Sequence, residues 1–430
     1  MDSKIPIIVA IVAVAAIAIA AFVLTSHGED KGPSDNTDFD EASGALLVYG
    51  NSNGDGLLDQ KDMDEIQSLI DSGSYKKMAD ANMDGKINDR DLATVRNLMS
   101  GQPTKLFYLD RADGAVSVDF PIKSFMGIHQ FVLIPMMAIG ALPYMDGYTL
   151  SPSGVSAATM LQELYDKESN VNTSYNMVDV EKLASLPEKP KYMMTYSKSL
   201  SNENKLEKSG IQIVHLGFSG FKECVSAIRT AGYMLNLADN ANDYVSFIQK
   251  VIQDVDGKVI SKIGESQKKS VLCGYMTNCI DYLNGTYTPM AMAAGAKAAI
   301  SETNMDNVYV EFNRGDEWIL SMNEDYFFYM NSWGYADHVD LSEYYKKAAD
   351  YFTTLKSYKD GKFVVFNSIM PAVLTVAYMA ETLYPEYMGE GYGDSVNQEY
   401  INRFFPGFSK GFDANDYDFV ITYDMVKDRL

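Results

Sequence analysis

Cysteine, histidine and basic side chains are scarce in this chain of 430 residues, and each shortage excludes a class of protein. Three cysteines, Cys224, Cys273 and Cys279, exclude a disulfide-built scaffold and a four-cysteine zinc site, and they leave at most one disulfide. Four scattered histidines give no zinc-enzyme pattern. The 36 Lys and Arg against 58 Asp and Glu leave a formal net charge of −22, which repels phosphate backbones. We therefore expect no nucleic-acid partner.

Apolar residues are plentiful by contrast, at 47% of the chain, and 12% of the residues are aromatic. This composition and length suit two or three globular units, each with its own core.

The N-terminus predicts a membrane segment. Ile5 to Leu24 carries no charge, and a helix of that length spans about 30 Å, the hydrocarbon thickness of a bilayer. Lys4 precedes it and acidic residues follow, so the positive-inside rule leaves the N-terminus in the cytoplasm. Residues 1–25 are therefore interpreted as a single-pass anchor, with a cleaved signal peptide as the alternative. The polar residues 26–44 form a tether, and the rest of the chain is expected outside the cell membrane.

Two calcium-loop patterns follow the tether. Positions 1 to 12 of the first loop are residues 51–62, and the second loop begins 29 residues later, at residues 80–91. Oxygen side chains stand at positions 1, 3, 5, 9 and 12, glycine stands at position 6, and position 7 offers its backbone carbonyl. Calcium needs six or more oxygens at about 2.3 to 2.6 Å, which this spacing supplies. The expected ligands of two Ca²⁺ sites are Asn51, Asn53, Asp55, Leu57, Asp59 and Asp62, and Asp80, Asn82, Asp84, Lys86, Asn88 and Asp91.

At these residues the chain resembles a type I dockerin, the duplicated calcium-binding module that docks cohesin domains. As in that family, position 12 is aspartate rather than glutamate, and the segment before the first loop, Ala45 to Tyr49, looks extended. The resemblance implies a small all-α module over residues 45–102 and a cohesin-like partner. It also implies that loop positions 10 and 11, Gln60 with Lys61 and Asp89 with Arg90, help to select that partner.

From Lys105 onward, β-like runs alternate with amphipathic helical patterns, which predicts a mostly parallel α/β architecture. Apolar residues from Tyr244 to Ile263 recur at helical spacing and predict one long helix, over 239–268, between an N-lobe at 105–238 and a C-lobe at 269–430. Gly257 could interrupt it. The candidate strands are Phe120 to Gly127, Tyr192 to Tyr196, Ile211 to Leu216, Ser270 to Tyr275, Tyr326 to Met330 and Phe363 to Phe366.

This part resembles the substrate-binding proteins of ABC importers for ferric siderophores, haem and cobalamin. The resemblance rests on the order of several segments, among them Val116-Ser-Val-Asp-Phe-Pro121, Pro135-Met-Met-Ala-Ile-Gly140, Val180-Glu181-Lys-Leu and the long helix. It implies two Rossmann-like lobes joined by one helix, an iron or cobalt chelate as ligand, an ABC permease as partner, and no catalysis. The pair Val180-Glu181 is matched by Asp316-Glu317 in the other lobe. In the family, glutamates at such positions dock on the permease. The resemblance therefore implies that Glu181 and Glu317 are the docking residues.

Ligands of open α/β sheets bind beyond the carboxyl ends of the strands. Aromatic rings and amides at those ends suit a large, flat chelate with a few directed hydrogen bonds. The predicted ligand-binding residues are His129, Gln130, Thr195, Tyr196, His215, Phe218, Tyr275, Thr277, Asn331, Ser332, Trp333, Asn367 and Met370.

The sequence is also compatible with an enzymatic function. Dockerins are commonly carried by hydrolases, so the chain could instead be an extracellular enzyme acting on polysaccharide or peptide.

Overall fold

The structure is a computed structural model that describes residues 41–174, 177–303, 309–311 and 317–430. The predicted anchor at 1–25 and most of the tether at 26–44 lie outside these residues. Within them, no helix combines the length and the apolar character needed to cross a membrane. The described chain divides into two units: unit 1 holds the residues up to Pro121 together with Lys222–Thr230, and unit 2 holds Ile122–Phe221 and Ala231–Leu430.

Unit 1 contains the calcium loops and a β-hairpin. Helix α1 (Gln60–Ser72) follows the first loop and α2 (Asp89–Met99) the second, and each begins with a capping box formed by loop positions 9 and 12. Strands β1 (Thr104–Asp110) and β2 (Gly114–Phe120) pair antiparallel. The helices bury Ile66 of α1 and, at a spacing of three residues, Leu92, Val95 and Leu98 of α2.

The hairpin of unit 1 shows that two expectations were wrong: that the module is all-α, and that it ends at residue 102. The extended segment before the first loop pairs with β1, since the Tyr49 N–H donates to the Phe107 carbonyl and the Leu109 N–H to the Leu47 carbonyl, both at 2.9 Å. These bonds satisfy backbone groups that would otherwise be buried without partners. The hairpin therefore belongs with the loops, whereas the sequence assigned residue 105 onward to the N-lobe.

The N-lobe of unit 2 is built on a four-stranded parallel sheet in the order β4-β3-β7-β8. Its strands β3 and β7 are buried along their whole length, as expected for a sheet covered by helices on both faces. A short antiparallel ribbon, β5-β6, stands apart. The bounds are β3 (Phe125–Ile128), β4 (Met145–Thr149), β5 (Asn172–Ser174), β6 (Met177–Val178), β7 (Tyr192–Thr195) and β8 (Gln212–His215).

The C-lobe sheet has the order β12-β10-β9-β13-β14-β15, with β11 beside β9. Strands β9, β13 and β14 are parallel, whereas β10, β12 and β15 run antiparallel to their neighbours. The bounds are β9 (Ser270–Tyr275), β10 (Cys279–Asp281), β11 (Lys297–Ala298), β12 (Tyr309–Glu311), β13 (Tyr326–Asn331), β14 (Phe363–Asn367) and β15 (Val420–Thr422).

Helices follow most of these strands. Their bounds from residue 130 onward are α3 (Gln130–Ala138), α4 (Pro152–Ala157), α5 (Gln162–Tyr165), α6 (Val180–Ser185), α7 (Glu203–Lys208), α8 (Cys224–Met234), α9 (Ala238–Val255), α10 (Thr288–Ala293), α11 (Glu317–Leu320), α12 (Leu341–Ala349), α13 (Lys356–Lys359), α14 (Ala372–Leu383), α15 (Pro385–Met388), α16 (Tyr392–Phe404) and α17 (Tyr423–Val426).

Helix α9 links the two lobes, as predicted, but it is shorter than 239–268. Its 18 residues end at Val255, and the chain continues as a π-helical turn over Asp256–Ile260, the turn that contains Gly257. Helix α16 braces the linking helix: the Tyr244 and Tyr400 hydroxyls lie 3.1 Å apart, and the Lys250 ammonium lies 2.9 Å from the Glu399 carboxylate. This packing makes α9 a stiff connection.

Candidate functional site

The carboxyl ends of the parallel strands in the two lobes face each other. The Gln130 amide, just after β3, lies 3.4 Å from the Ser368 carbonyl, just after β14. The Tyr335 N–H, beyond β13, donates to the Ala157 carbonyl, beyond β4, at 2.9 Å. The residues that we predicted at the strand ends therefore lie on both sides of the boundary between the two lobes.

An aromatic trio occupies the N-lobe side of this boundary. The rings of His129, Phe131 and Tyr196 lie with centroids 4.6 to 5.3 Å apart, and all three are half-buried. His129 and Tyr196 were predicted, whereas Phe131 was missed, although its place three residues after the end of β3 was the available signal. Such rings offer apolar faces to a flat ligand.

His129 is held as a neutral ring. Burial lowers its pKa to about 4, and its Nδ1 accepts the Phe131 N–H at 3.4 Å. A neutral imidazole that accepts at Nδ1 carries its hydrogen on Nε2, where a metal would otherwise bind. The local geometry therefore favours ring contact over direct metal ligation by His129.

Thr195 and His215 are fully buried and stabilise a turn. The Thr195 hydroxyl accepts the Ser197 N–H at 3.2 Å, and His215 Nδ1 lies 2.6 Å from the Ser197 carbonyl. His215 Nε2 lies 3.3 Å from a Glu203 carboxylate oxygen. These two residues bond to other residues of the N-lobe, and both are buried, as is Phe218.

The predicted residues that follow β13 and β14 are likewise either buried or exposed. Asn367 is buried, donates to the Trp333 carbonyl at 3.2 Å and accepts the Ile369 N–H at 3.2 Å. The Trp333 indole donates to the Asp418 carbonyl at 2.9 Å and is also buried, as is Met370. Asn331 and Ser332 keep partly or fully exposed side chains. Buried members of the set shape the loops, and exposed members remain able to contact a ligand.

A tyrosine cluster stands at the end of β9. Tyr275 meets Tyr287 and Tyr309 edge to face, at centroid distances of 5.4 and 5.5 Å. The loop that carries Tyr287 is held by the buried Asp281, whose carboxylate accepts three backbone N–H groups at 2.6 to 3.0 Å. Burial raises the pKa of Asp281 to about 6, and those N–H bonds limit the rise. Only Tyr275 and the exposed Thr277 were predicted here, because Tyr287 and Tyr309 follow no predicted strand.

A cavity of about 870 Å³ also lies between the lobes, beside the start of α9. None of the predicted ligand-binding residues is among the described residues that line it. Aromatic, methionine and proline side chains dominate its wall, which Glu163, Arg403 and Lys410 complete. The apolar lining comprises Met137, Leu142, Pro143, Met160, Phe404, Phe405, Pro406, Phe408, Phe412 and Tyr417.

Glu181 and Glu317, the predicted docking residues, are exposed in the first turns of α6 and α11. Asp179 caps the first of these helices by accepting the Glu181 N–H at 3.0 Å. The position of both glutamates on the surface is compatible with protein docking, and their role stays a prediction.

The two calcium loops close through the same five hydrogen bonds. Side chains at positions 3, 5 and 9 each accept the N–H two residues later, and the position 12 carboxylate accepts the N–H groups of positions 3 and 9. The distances are 2.7 to 3.1 Å in the first loop and 2.8 to 3.3 Å in the second. This is a duplicated structure and not only a duplicated sequence pattern.

The donor set of these loops fits a hard cation. Each loop carries three aspartates at its predicted ligand positions, and each bond described above leaves further lone pairs on the accepting oxygen. Burial raises the pKa of Asp62 and Asp91, the position 12 carboxylates, which a bound cation would reverse. Neither loop, both of which are fully described, brings three carboxylates within 4.8 Å of one another, so binding would have to draw them closer.

No protein-family model and no curated protein matches the sequence. Solved structures do match. CeuE of Helicobacter pylori, determined as a nickel–histidine complex, shares 15% identity at a TM-score of 0.55 over 70% of this chain and 96% of its own. MolA of Haemophilus influenzae, a molybdate periplasmic binding protein, shares 14% at 0.55 over 70% and 98%. The TroA-like periplasmic binding protein FepB of Veillonella parvula shares 16% at 0.51 over 70% and 96%.

At such identities the likeness shows the fold alone. The predicted α/β fold of the periplasmic-binding-protein type is confirmed. The dockerin resemblance receives no support from these matches and stays a prediction.

Proposed function

We propose that the two lobes form the substrate-binding protein of an ABC importer and that they bind a flat iron or cobalt chelate between them. The observation that carries this proposal is that the carboxyl ends of the parallel strands in the two lobes face each other across a boundary that presents half-buried rings from both sides. The stiff α9 connection supports it, because lobes joined in this way close little and keep a largely preformed site.

The half-buried and exposed strand-end side chains favour a chelate over a bare ion. They are rings, amides and hydroxyls: His129, Gln130, Phe131, Tyr196, Tyr275, Thr277, Asn331 and Ser332. Rings supply apolar contact, and the amides and hydroxyls supply directed hydrogen bonds. The structural neighbours are named as binders of a nickel complex and of molybdate, so their fold accepts more than one ligand class.

A thermal-shift panel tests the function. Haemin, cyanocobalamin and ferric desferrioxamine are the chelates, and molybdate is the oxyanion control. A chelate at one hundred times its Kd should stabilise the chain by about 2.7 kcal/mol. Stabilisation by molybdate alone would overturn the choice of a chelate, and turnover of a polysaccharide or peptide without chelate binding would favour the hydrolase alternative.

Three alanine variants locate the site. Tyr196→Ala and Tyr275→Ala remove rings at the strand ends, whereas Phe408→Ala removes a ring from the cavity beside α9. We expect the first two to weaken chelate binding at least tenfold and the third to leave it within twofold. Weaker binding in Phe408→Ala, with unchanged binding in the two tyrosine variants, would indicate that the ligand binds in the cavity instead.

Permease docking is proposed for Glu181 and Glu317, which are exposed at two helix starts. Reversing both charges should abolish importer-dependent uptake and leave chelate affinity unchanged. The matched control is the double reversal of Glu207 and Glu343, also exposed in the lobes. Unchanged uptake in the first variant would end this assignment.

Residues 45–102 are proposed to be a calcium-dependent docking module for a cohesin-like partner, and residues 1–25 to hold the chain at the outer face of the cell membrane. The five shared hydrogen bonds in each loop support the calcium part. Fractionation of the full chain, compared with a chain lacking residues 1–25, tests the anchor.

A further inference from the structure

The two calcium loops differ at positions 1 and 6. In the second loop, the Asp80 carboxylate accepts the N–H groups of Asp84 at 3.1 Å and Gly85 at 2.9 Å, and Gly85 adopts a φ of +83°. In the first loop, the Asn51 amide instead donates to the Leu46 and Asp55 carbonyls, both at 2.8 Å. Only in the second loop does the side chain at position 1 accept backbone N–H groups of its own loop.

The first loop also contains a buried polar atom without a partner. Asn51 is fully buried, and its Oδ1 has no hydrogen-bond partner among the described residues. Gly56, at position 6, has a φ outside the left-handed region that Gly85 occupies. A positive φ therefore explains the glycine at position 6 of the second loop but not the glycine at position 6 of the first loop.

Arg229 explains why position 6 is glycine there. A Cβ added to Gly56 would stand 2.4 Å from the Arg229 Cζ and Nη1 atoms, so the guanidinium lies directly against the loop backbone. At Gly85, an added Cβ would meet nothing within 4 Å. The first loop has a cation packed on it, and the second loop is open at the same point.

Arg229 is fixed in this place. Its Nη1 donates to the Gly44 carbonyl, and its buried Nε has no hydrogen-bond partner among the described residues. Burial lowers the pKa of Arg229, and the charge of Asp55, at loop position 5, acts in the opposite direction. The next residue, Thr230, accepts the Leu47 N–H at 3.0 Å, which ties the segment to the strand before the loop.

We propose that the Arg229 guanidinium is the resident cation of the first loop and that only the second loop binds calcium tightly. This inference rests on the proposed calcium function of the module. A guanidinium needs no coordination sphere and brings a permanent positive charge to a loop with three carboxylates. Calcium that enters the first loop must therefore compete with the buried Arg229, whereas the cation beside the second loop, Arg90, is exposed and lies 3.8 Å from the Asp84 carboxylate.

Calcium titration of the full chain by isothermal calorimetry tests this proposal. We expect one tight site and a second site roughly 100-fold weaker, a separation within the range that calcium loops span. Asp80→Ala should remove the tight site, and Asp55→Ala should remove only the weak one. Arg229→Gln should tighten the weak site at least tenfold and leave the tight site within twofold.

Two further variants protect the test against misfolding. Arg229→Lys keeps the charge and should bind calcium as the native chain does. Gly56→Ala pushes the guanidinium away without a strained φ and should tighten the weak site as Arg229→Gln does. The matched control is Arg90→Gln: Arg90 is exposed, lies 3.8 Å from the Asp84 carboxylate in the second loop, and should not affect the first.

Two native sites of equal affinity, or a weak site unchanged by both Arg229→Gln and Gly56→Ala, would overturn the proposal. Calcium binding only after Arg229→Gln would support the role of Arg229 and overturn the calcium assignment of the second loop. Absence of calcium binding in the native chain and in every variant would overturn both.

Discussion

The calcium-loop module and the lobes are stabilised by different interactions. In the module, short side chains accept N–H groups two to nine residues away, and the two loops repeat the same five bonds. In the lobes, stability comes from buried sheets, such as the C-lobe core in which Phe327 meets Phe352 at 4.4 Å and Phe363 at 5.3 Å. The module should therefore respond to charge and calcium, and the lobes to packing.

The largest expected effect is on lobe packing. Phe327→Ala empties a fully buried site, which costs about 3 to 5 kcal/mol of unfolding free energy. Urea denaturation measures the loss, and Leu320→Ala, at a side chain 43% exposed, is the control that should change stability by less than about 0.5 kcal/mol. Calcium affinity of folded Phe327→Ala should stay native; a lowered affinity would break the separation between the two regions.

A smaller effect is expected in the module. Asp91→Ala leaves the Asn82 and Asn88 N–H groups without their acceptor, which costs about 1 to 3 kcal/mol. It should also remove the stabilisation that calcium gives at concentrations that fill only the tight site, so thermal melts at such a concentration and with chelator should coincide. Asp89→Ala, at an exposed neighbouring residue, should keep the difference. A calcium effect that survives Asp91→Ala would place the ion elsewhere.

The acid response of the lobes should depend on His129. Because its pKa falls from 6.5 to about 4 on folding, the unfolded chain binds the proton more readily. Its contribution to stability is complete above pH 6.5 and decreases as the pH falls toward 4, by about 1 to 2 kcal/mol between pH 7 and pH 5. His129→Gln should flatten the dependence of the melting temperature on pH over that range. An unchanged slope in His129→Gln would show that the ring is not held neutral.

The smallest effect concerns surface charge on the linking helix. Lys250→Ala removes an exposed ion pair with Glu399, which is worth about 0.2 to 1 kcal/mol and weakens in salt. Denaturation at low and high salt measures it. A loss above about 2 kcal/mol would mean that this pair, rather than aromatic packing, braces the connection.

Local patterns in the sequence predicted more than distant ones. The calcium loops were predictable because their ligands lie within twelve residues, and β9 was predicted at its exact bounds because it is a short apolar run after a charged segment. Strand β3 was expected from Phe120 but begins at Phe125: Phe120 belongs to the hairpin, and Pro121 has no N–H for a sheet. Strand β4 was missed because its Asp-Gly pair resembles a turn.

Site residues were harder to predict because burial depends on neighbours from other segments. Thr195, His215 and Asn367 stand at strand ends as expected, yet their side chains bond inward to adjacent loops. Arg229 lies 174 residues after Asp55, so no local pattern could pair it with the first loop.

Equilibrium dialysis of the full chain against haemin, cyanocobalamin and ferric desferrioxamine tests the central claim most directly. We expect saturable binding of one chelate per chain, with an affinity that both Tyr196→Ala and Tyr275→Ala lower. Failure of every chelate to saturate a folded chain, or binding that ignores both variants, would contradict a chelate held between the lobes.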